Sequence, residues 1–319
     1  MNKKTCQPRK GNIDLLRCIM SFFVICIHCK FPYKDSVREI IDIAVPVFFL
    51  ISGFLFYTPD ILREKTKIEK MLRSVLLLLI QSTTLYMFWR YFICSICNLD
   101  FWQFDFFNFL SCDNPFGAHL WYLHSYFVLL IILLLLNRFK LTISGIPVWI
   151  VLLLMISEIL LAREGHYGLL YGIKRVFCVA MPFFLIGILI NKNKNCIFEK
   201  GKCYLYFSGG VICLYNIFVG VYTFSYSWST VCLAIIMFMA LLQMNITDNI
   251  FSKIGLRNSL HIYIVHWIII DIMNNIAKFV PDFSLLNDYM QPILVFVISL
   301  ICSELYMTMK NRFVCIFKK

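Results

Sequence analysis

Apolar residues run along this chain in long blocks parted by short polar stretches. A helix crossing a hydrocarbon core of ~30 Å needs about 20 residues, and in lipid its backbone must satisfy its own hydrogen bonds. Ten blocks approach that length: Ile13 to Cys29, Ile40 to Tyr57, Leu72 to Cys94, His119 to Leu136, Ile146 to Leu161, Val176 to Ile190, Leu205 to Tyr222, Ser229 to Gln243, Ser259 to Ala277 and Ile293 to Met309. The pattern predicts an all-α fold, a polytopic transmembrane bundle of about ten spans, forming one membrane domain over residues 1–319.

Composition agrees: 60% of residues are hydrophobic and 15% charged, whereas a soluble domain carries about a quarter charged residues. The net charge of +12 would suggest nucleic acid in a soluble protein, but the basic residues form short clusters between apolar runs. They read as topology signals and contacts for lipid headgroups, with no nucleic-acid partner. With the N-terminus inside, the cytoplasmic clusters include Lys3, Lys4, Arg9, Lys10, Arg63, Lys65, Lys67, Lys70, Arg73, Lys192, Lys194, Lys200, Lys202, Lys310 and Arg312. They outnumber the basic residues opposite by about three to one. Both termini are therefore expected in the cytoplasm, residues 1–12 as a basic N-terminal segment and 310–319 as a tail, in a multi-pass protein of the plasma or inner membrane. The loop from Asn98 to Ala118, with Asp100, Asp105 and Asp113 and no Lys or Arg, fits the outer face.

The basic N-terminus resembles a signal-peptide n-region, but Asp14 and Arg17 interrupt the following run and no small-residue cleavage site appears, so an uncleaved first span is expected. Most of the 14 cysteines stand singly in apolar segments and imply no disulfide framework. Cys94 and Cys97 make one C-x-x-C, a redox or metal signal or simple packing.

Ionisable residues inside a span are functional candidates. Asp14, Arg17 and His28 share the first helix. Eleven residues at ~100° each make about 1100°, three turns plus ~20°, so Arg17 and His28 face the same way, ~16 Å apart along the axis. This pattern suits a polar channel, or a snorkelling Arg17 with an interfacial His28. In an antiparallel hairpin with the next span, equal depth pairs His28 with Asp42 and Arg17 with Gly53. Asp42 could orient the imidazole. Gly53 could admit a ligand chain close to the backbone or serve helix packing, and Ser52 shares that choice.

These residues resemble the integral-membrane acyltransferase 3 family, whose members acylate sugars of cell-envelope and secreted polysaccharides. Ile13-Asp14-Leu15-Leu16-Arg17 with His28 matches the family's Arg-x10-His motif. Val45-Pro46-Val47-Phe48-Phe49-Leu50-Ile51-Ser52-Gly53-Phe54-Leu55 matches its Phe-Phe-x-x-Ser-Gly-Phe stretch. His119-Leu120-Trp121-Tyr122-Leu123 resembles another family segment, as does Ile254-Gly255-Leu256-Arg257-Asn258-Ser259-Leu260 leading to Ile262-Tyr263 and His266. Lys70-Met71-Leu72-Arg73 stands where the family usually has two arginines, which keeps the charge but gives up one bidentate fork.

The resemblance implies a membrane-bound O-acyltransferase using cytoplasmic acyl-CoA, with acetyl-CoA the expected co-substrate and no bound cofactor. The acceptor would be a hydroxyl of a glycan or lipid-linked sugar. His28 would be general base, with Arg17 and Asp42 beside it in the catalytic set; Lys70, Arg73, Ser52 and Gly53 would bind the donor. An acyl-His intermediate is the variant mechanism. His119, Trp121, Tyr122 and His266 are acceptor-side candidates, although Trp and Tyr also belong in interfacial belts. No metal site is expected. The alternatives are a transporter or flippase acting without covalent chemistry, and a membrane scaffold that does not need His28.

Overall fold

A computed structural model describes residues 11–97, 112, 114–160, 169–195, 208, 211 and 228–316. The expected span from Leu205 to Tyr222, most of the loop from Asn98 to Ala118, the basic segment 1–10, His166 and Lys318 and Lys319 lie outside the described residues.

The described residues are helical throughout, with short connections. In chain order the helices are α1 (Gly11–His28), α2 (Lys34–Ile41), α3 (Ala44–Phe56), α4 (Ile61–Cys97), α5 (Trp121–Arg138), α6 (Val148–Leu160), α7 (Leu169–Lys174), α8 (Met181–Lys192), α9 (Trp228–Gln243), α10 (Ile250–Arg257), α11 (Ser259–Phe279) and α12 (Pro281–Ile316). Among the described residues, seven segments are long and apolar enough to cross a membrane: Gly11–His28, Lys34–Phe56, Arg63–Ile96, Ala118–Arg138, Gly172–Lys192, Ser259–Phe279 and Pro281–Arg312. Each coincides with an expected span. The expected spans at Ile146 and Ser229 appear as the shorter α6, of 13 residues, and α9, of 16.

Local chemistry explains several boundaries. Helix α1 stops ahead of Pro32, whose ring biases the preceding residue toward extended backbone. Between α7 and α8 the chain makes a π turn over Arg175–Ala180. Pro182 offers no N–H to the carbonyl of Cys178 four residues back, so the α ladder cannot continue unbroken there. Helix α4 begins well before the apolar run, at Ile61. Its Lys67 Nζ donates to the carbonyls of Leu55 and Phe56 at 2.6 and 2.9 Å, capping the end of α3 with a cation.

The chain divides into two compact units. The first comprises Met1–Ala44, Lys202–Gly220 and Cys232–Lys319. Its core gathers Ile25 and Cys29 of α1, Ile262, Ile269, Ile270 and Met273 of α11, and Val295 of α12. Gly255 brings α10 against the backbone of α1 at Asp14 and Cys18. Asn12 Nδ2 donates to the carbonyls of Leu241, Leu242 and Met244 at 3.1, 3.1 and 3.2 Å, supplying a donor to the open end of α9.

The second unit comprises Val45–Gly201 and Val221–Val231. Phe49, Phe56, Phe183 and Phe184 are buried there together with Leu129, Leu130 and Leu133 of α5. Gly53 of α3 faces the backbone of Phe184, and Gly187 of α8 faces the backbone of Leu50 and Phe54. Helices α4 and α12 leave large apolar side chains uncovered, such as Phe88 at 63% and Leu305 at 60% exposure, as a hydrocarbon solvent allows.

Candidate active site around His28

His28 occupies the last turn of α1, and the chain beyond it is tied down from two sides. Lys34 Nζ donates to the carbonyls of Ile27 and Cys29 at 2.7 and 2.8 Å, taking up acceptors that the helix end leaves open. Gln291 Oε1 on α12 accepts the Lys30 N–H at 2.7 Å. Both anchors lie within two residues of the imidazole, which holds the ring-bearing turn in place.

Two aromatic partners from α11 meet the ring. His266 stacks on it at a centroid distance of 5.5 Å and an interplanar angle of 29°, and Trp267 presents an edge at 4.8 Å and 72°. His266 is fully buried and its Nδ1 lies 2.7 Å from the Tyr263 carbonyl oxygen. A carbonyl only accepts, so His266 Nδ1 is the donor of this bond.

Arg17 lies three turns back on α1, on the face that helix periodicity assigns to His28. Its Nη1 donates to Asp14 Oδ1 at 3.0 Å, with the arginine side chain 22% exposed and the carboxylate buried. The hairpin argument expected Asp42 beside His28. In the structure the Asp42 carboxylate meets Arg38, one turn earlier, at 3.5 Å from Nε. A partner four residues away on the same helical stretch is always within reach, whereas equal depth on two helices does not bring side chains into contact. His28, Arg17, Asp42 and His266 all belong to the first unit.

The other sequence-derived candidates belong to the second unit. Lys70 and Arg73 are exposed three residues apart on α4, one face of its polar start. Ser52 Oγ donates back to the Phe48 carbonyl at 2.9 Å. Gly53 does not open onto ligand space: its missing side chain is replaced by the Phe184 main chain, so helix packing explains the glycine. His119 is buried with the Tyr86 ring at 4.6 Å, the Arg175 guanidinium lies over the Trp121 ring at 5.0 Å, and Tyr122 packs on Phe49 at 4.8 Å.

The sequence reading missed Trp267, Lys34 and Gln291. Lys34 follows a helix end marked by Pro32, a signal for a basic cap. Nothing local points Gln291 at Lys30, 261 positions away. Among the described residues, no group of three or more His, Cys, Asp or Glu is placed to hold a metal ion.

The comparison with known families decides the class. A family model described as an acyltransferase domain matches residues 10–306. The chain belongs to the acyltransferase 3 family. Every motif quoted above, from Arg17 to His266, falls inside that match. No curated protein and no solved structure matches the chain. Membership makes acyl transfer the class of activity, and the apolar helices make it a membrane protein.

Proposed function

We propose that the protein is a membrane-bound O-acyltransferase that moves an acyl group, acetyl in the first instance, from cytoplasmic acyl-CoA to a hydroxyl of a cell-envelope or exported glycan. The observation that carries the reading is the setting of His28: a fixed imidazole at the end of a membrane helix, stacked on His266 and edged by Trp267, on the same helix face as Arg17.

The chemistry follows from the reactants. A sugar hydroxyl is a poor nucleophile near neutral pH until a base takes its proton. His28 accepts that proton as the hydroxyl oxygen attacks the thioester carbonyl. The tetrahedral intermediate collapses with cleavage of the C–S bond, and the CoA thiolate leaves and is protonated in turn. The ester forms, the thioester is consumed, and no oxidant or metal is needed. Lys70 and Arg73 hold donor phosphates by charge, Lys70 as a point charge and Arg73 through its fork. Arg17 supplies a fixed cation deeper along α1. Asp42 pairs with Arg38 at the C-terminal end of α2 and is assigned no step in this chemistry. The basic clusters on the side of Lys70 and Arg73 support a reading with the donor and both termini on the cytoplasmic side of a plasma or inner membrane.

The test is label transfer from radiolabelled acetyl-CoA into glycan by membranes containing the wild-type protein or His28→Ala. The expected result is transfer by the wild type and a loss of about 10²-fold or more in the variant. Equal transfer by both removes His28 from the chemistry. Movement of glycan without covalent labelling favours a transporter.

A further inference from the structure

Beyond His28 in the first unit lies a cluster of neutral amides that the mechanism above does not use. Gln291 Nε2 donates to Asn274 Oδ1 at 2.8 Å, and Asn287 Nδ2 donates to the same oxygen at 3.3 Å. Gln291 Oε1 is occupied by the Lys30 N–H. Asn274 Oδ1 thus accepts twice, which obliges Asn287 to turn its NH₂ inward and its own oxygen away. Asn287 Oδ1 is buried and meets no donor, in a residue that is only 2% exposed. Gln291 is fully buried.

Here Asn287 Oδ1 is left as a buried acceptor with no donor from the protein, a costly arrangement that a bound hydroxyl would relieve. The next residue is Pro292, set inside α12. Its ring withdraws the N–H that the Asp288 carbonyl would otherwise receive, so a main-chain acceptor is opened beside the amides. The cluster also has a direction. Gln291 grips the chain two residues past His28, and Asn274 lies seven residues beyond Trp267, about 10 Å along α11 and within ~20° of the same face.

We propose that Asn274, Asn287 and Gln291 form the subsite for the acyl acceptor, and that it takes a neutral sugar, one of whose hydroxyls donates to Asn287 Oδ1 while another is presented to His28. The inference rests on the acyl-transfer reading and adds the acceptor's chemical class to it. Amides match hydroxyls as donors and acceptors at once, and none of the three carries a charge; Lys34, a cation fixed near His28, is spent on the carbonyls of Ile27 and Cys29. A hydroxyl bonded to Asn287 Oδ1 would supply the donor that no protein group provides.

The test uses membranes bearing the full chain, radiolabelled acetyl-CoA, and two probe acceptors, methyl α-D-glucopyranoside and methyl α-D-glucopyranosiduronate. Transfer to the neutral probe is expected to exceed transfer to the anionic one. In Asn287→Leu the KM for the neutral probe is expected to rise about tenfold, the worth of one hydrogen bond, with the KM for acetyl-CoA unchanged. A structural role for Asn287 would instead disturb both substrates together. Where Asn287→Leu fails to reach the membrane intact, deoxy analogues of the neutral probe with the wild type decide: one deoxy position must lose about tenfold in KM. An unchanged KM in the variant, equal KM values across the deoxy series, or preference for the uronide overturns the inference and leaves the transfer reading standing. No label transfer by the wild type to any acceptor, including the glycans used above, removes both.

Discussion

Replacing Gly53 by alanine tests whether that glycine serves a neighbouring helix or a ligand. An alanine Cβ at position 53 would lie 2.7 Å from the carbonyl carbon of Phe184 and 3.0 Å from its Cα, and closer still to the carbonyl oxygen. The facing residue repeats the problem: a Cβ on Gly187 would lie 2.8 Å from the Phe54 nitrogen and 3.1 Å from the Leu50 carbonyl carbon. Both neighbours are main chain, so no rotamer can swing clear. Ordinary carbon contacts need 3.5–4.0 Å, so α3 and α8 must part by roughly 1 Å, enough to forfeit a quarter to a half of the dispersion attraction across the seam. With the strain of overpacking, the expected loss is about 2–3 kcal/mol. Thermal unfolding of the detergent-solubilised protein, followed by tryptophan fluorescence, measures it. Gly53→Ala and Gly187→Ala should each lower the midpoint by several degrees, and the double variant should lose less than the sum, because the first substitution opens the gap that the second needs. The acetyl-CoA KM of surviving Gly53→Ala protein should equal the wild-type value. Wild-type stability with a raised donor KM would refute this reasoning and return Gly53 to the ligand.

Four further outcomes test individual groups. Lys67→Met should cost about 1 kcal/mol by uncapping α3 and leave the acetyl-CoA KM alone. Lys70→Ala with Arg73→Ala should change stability by less than ~0.5 kcal/mol but raise that KM, with an effect that shrinks at high salt. Asn12→Leu should destabilise by about 1–3 kcal/mol in the same unfolding assay, since three carbonyls at the end of α9 lose their shared donor. Cys112, outside the membrane-spanning segments, is buried, and burial pushes its thiol pKa above the ordinary value against weaker opposing effects of Ser125 and Arg175. Only the thiolate alkylates, and a raised pKa moves its appearance to higher pH. Iodoacetamide at pH 8 should therefore leave folded Cys112 unmodified and label it after denaturation; rapid labelling of the folded protein would contradict the burial.

What was legible in the sequence is what one helix decides by itself. Seven full-length crossings followed from apolar run length, because a backbone in lipid has few other options. The shared face of Arg17 and His28 followed from helix periodicity, because both lie on the unbroken α1. Asp42 shows where such reasoning ends. The hairpin argument gave equal depth and not contact; the connection turns through Tyr33 in the left-handed region, and α2 presents Arg38 to Asp42. Gly53 had two readings in sequence, and only the position of the Phe184 backbone separates them.

The partner of His28 was half legible, and the missing half is instructive. Helix α11 buries Ile262, Tyr263, Ile264, His266, Ile269, Ile270 and Met273, all but Ile264 in the three- and four-residue recurrence of one inward stripe. An imidazole on that stripe is aimed at protein, since a lipid-facing one would cost more, so the direction of His266 could have been read from the pattern. Its target could not, because 238 positions separate it from His28 and the contact exists only once α1 and α11 pack. The same holds for Asn274, one residue past the last apolar member of the stripe, and for Gln291 on the next helix. Residues that no local rule joins are brought to the end of α1 by helix packing alone. The apolar pattern that first identified a membrane protein therefore also sets where these polar groups meet.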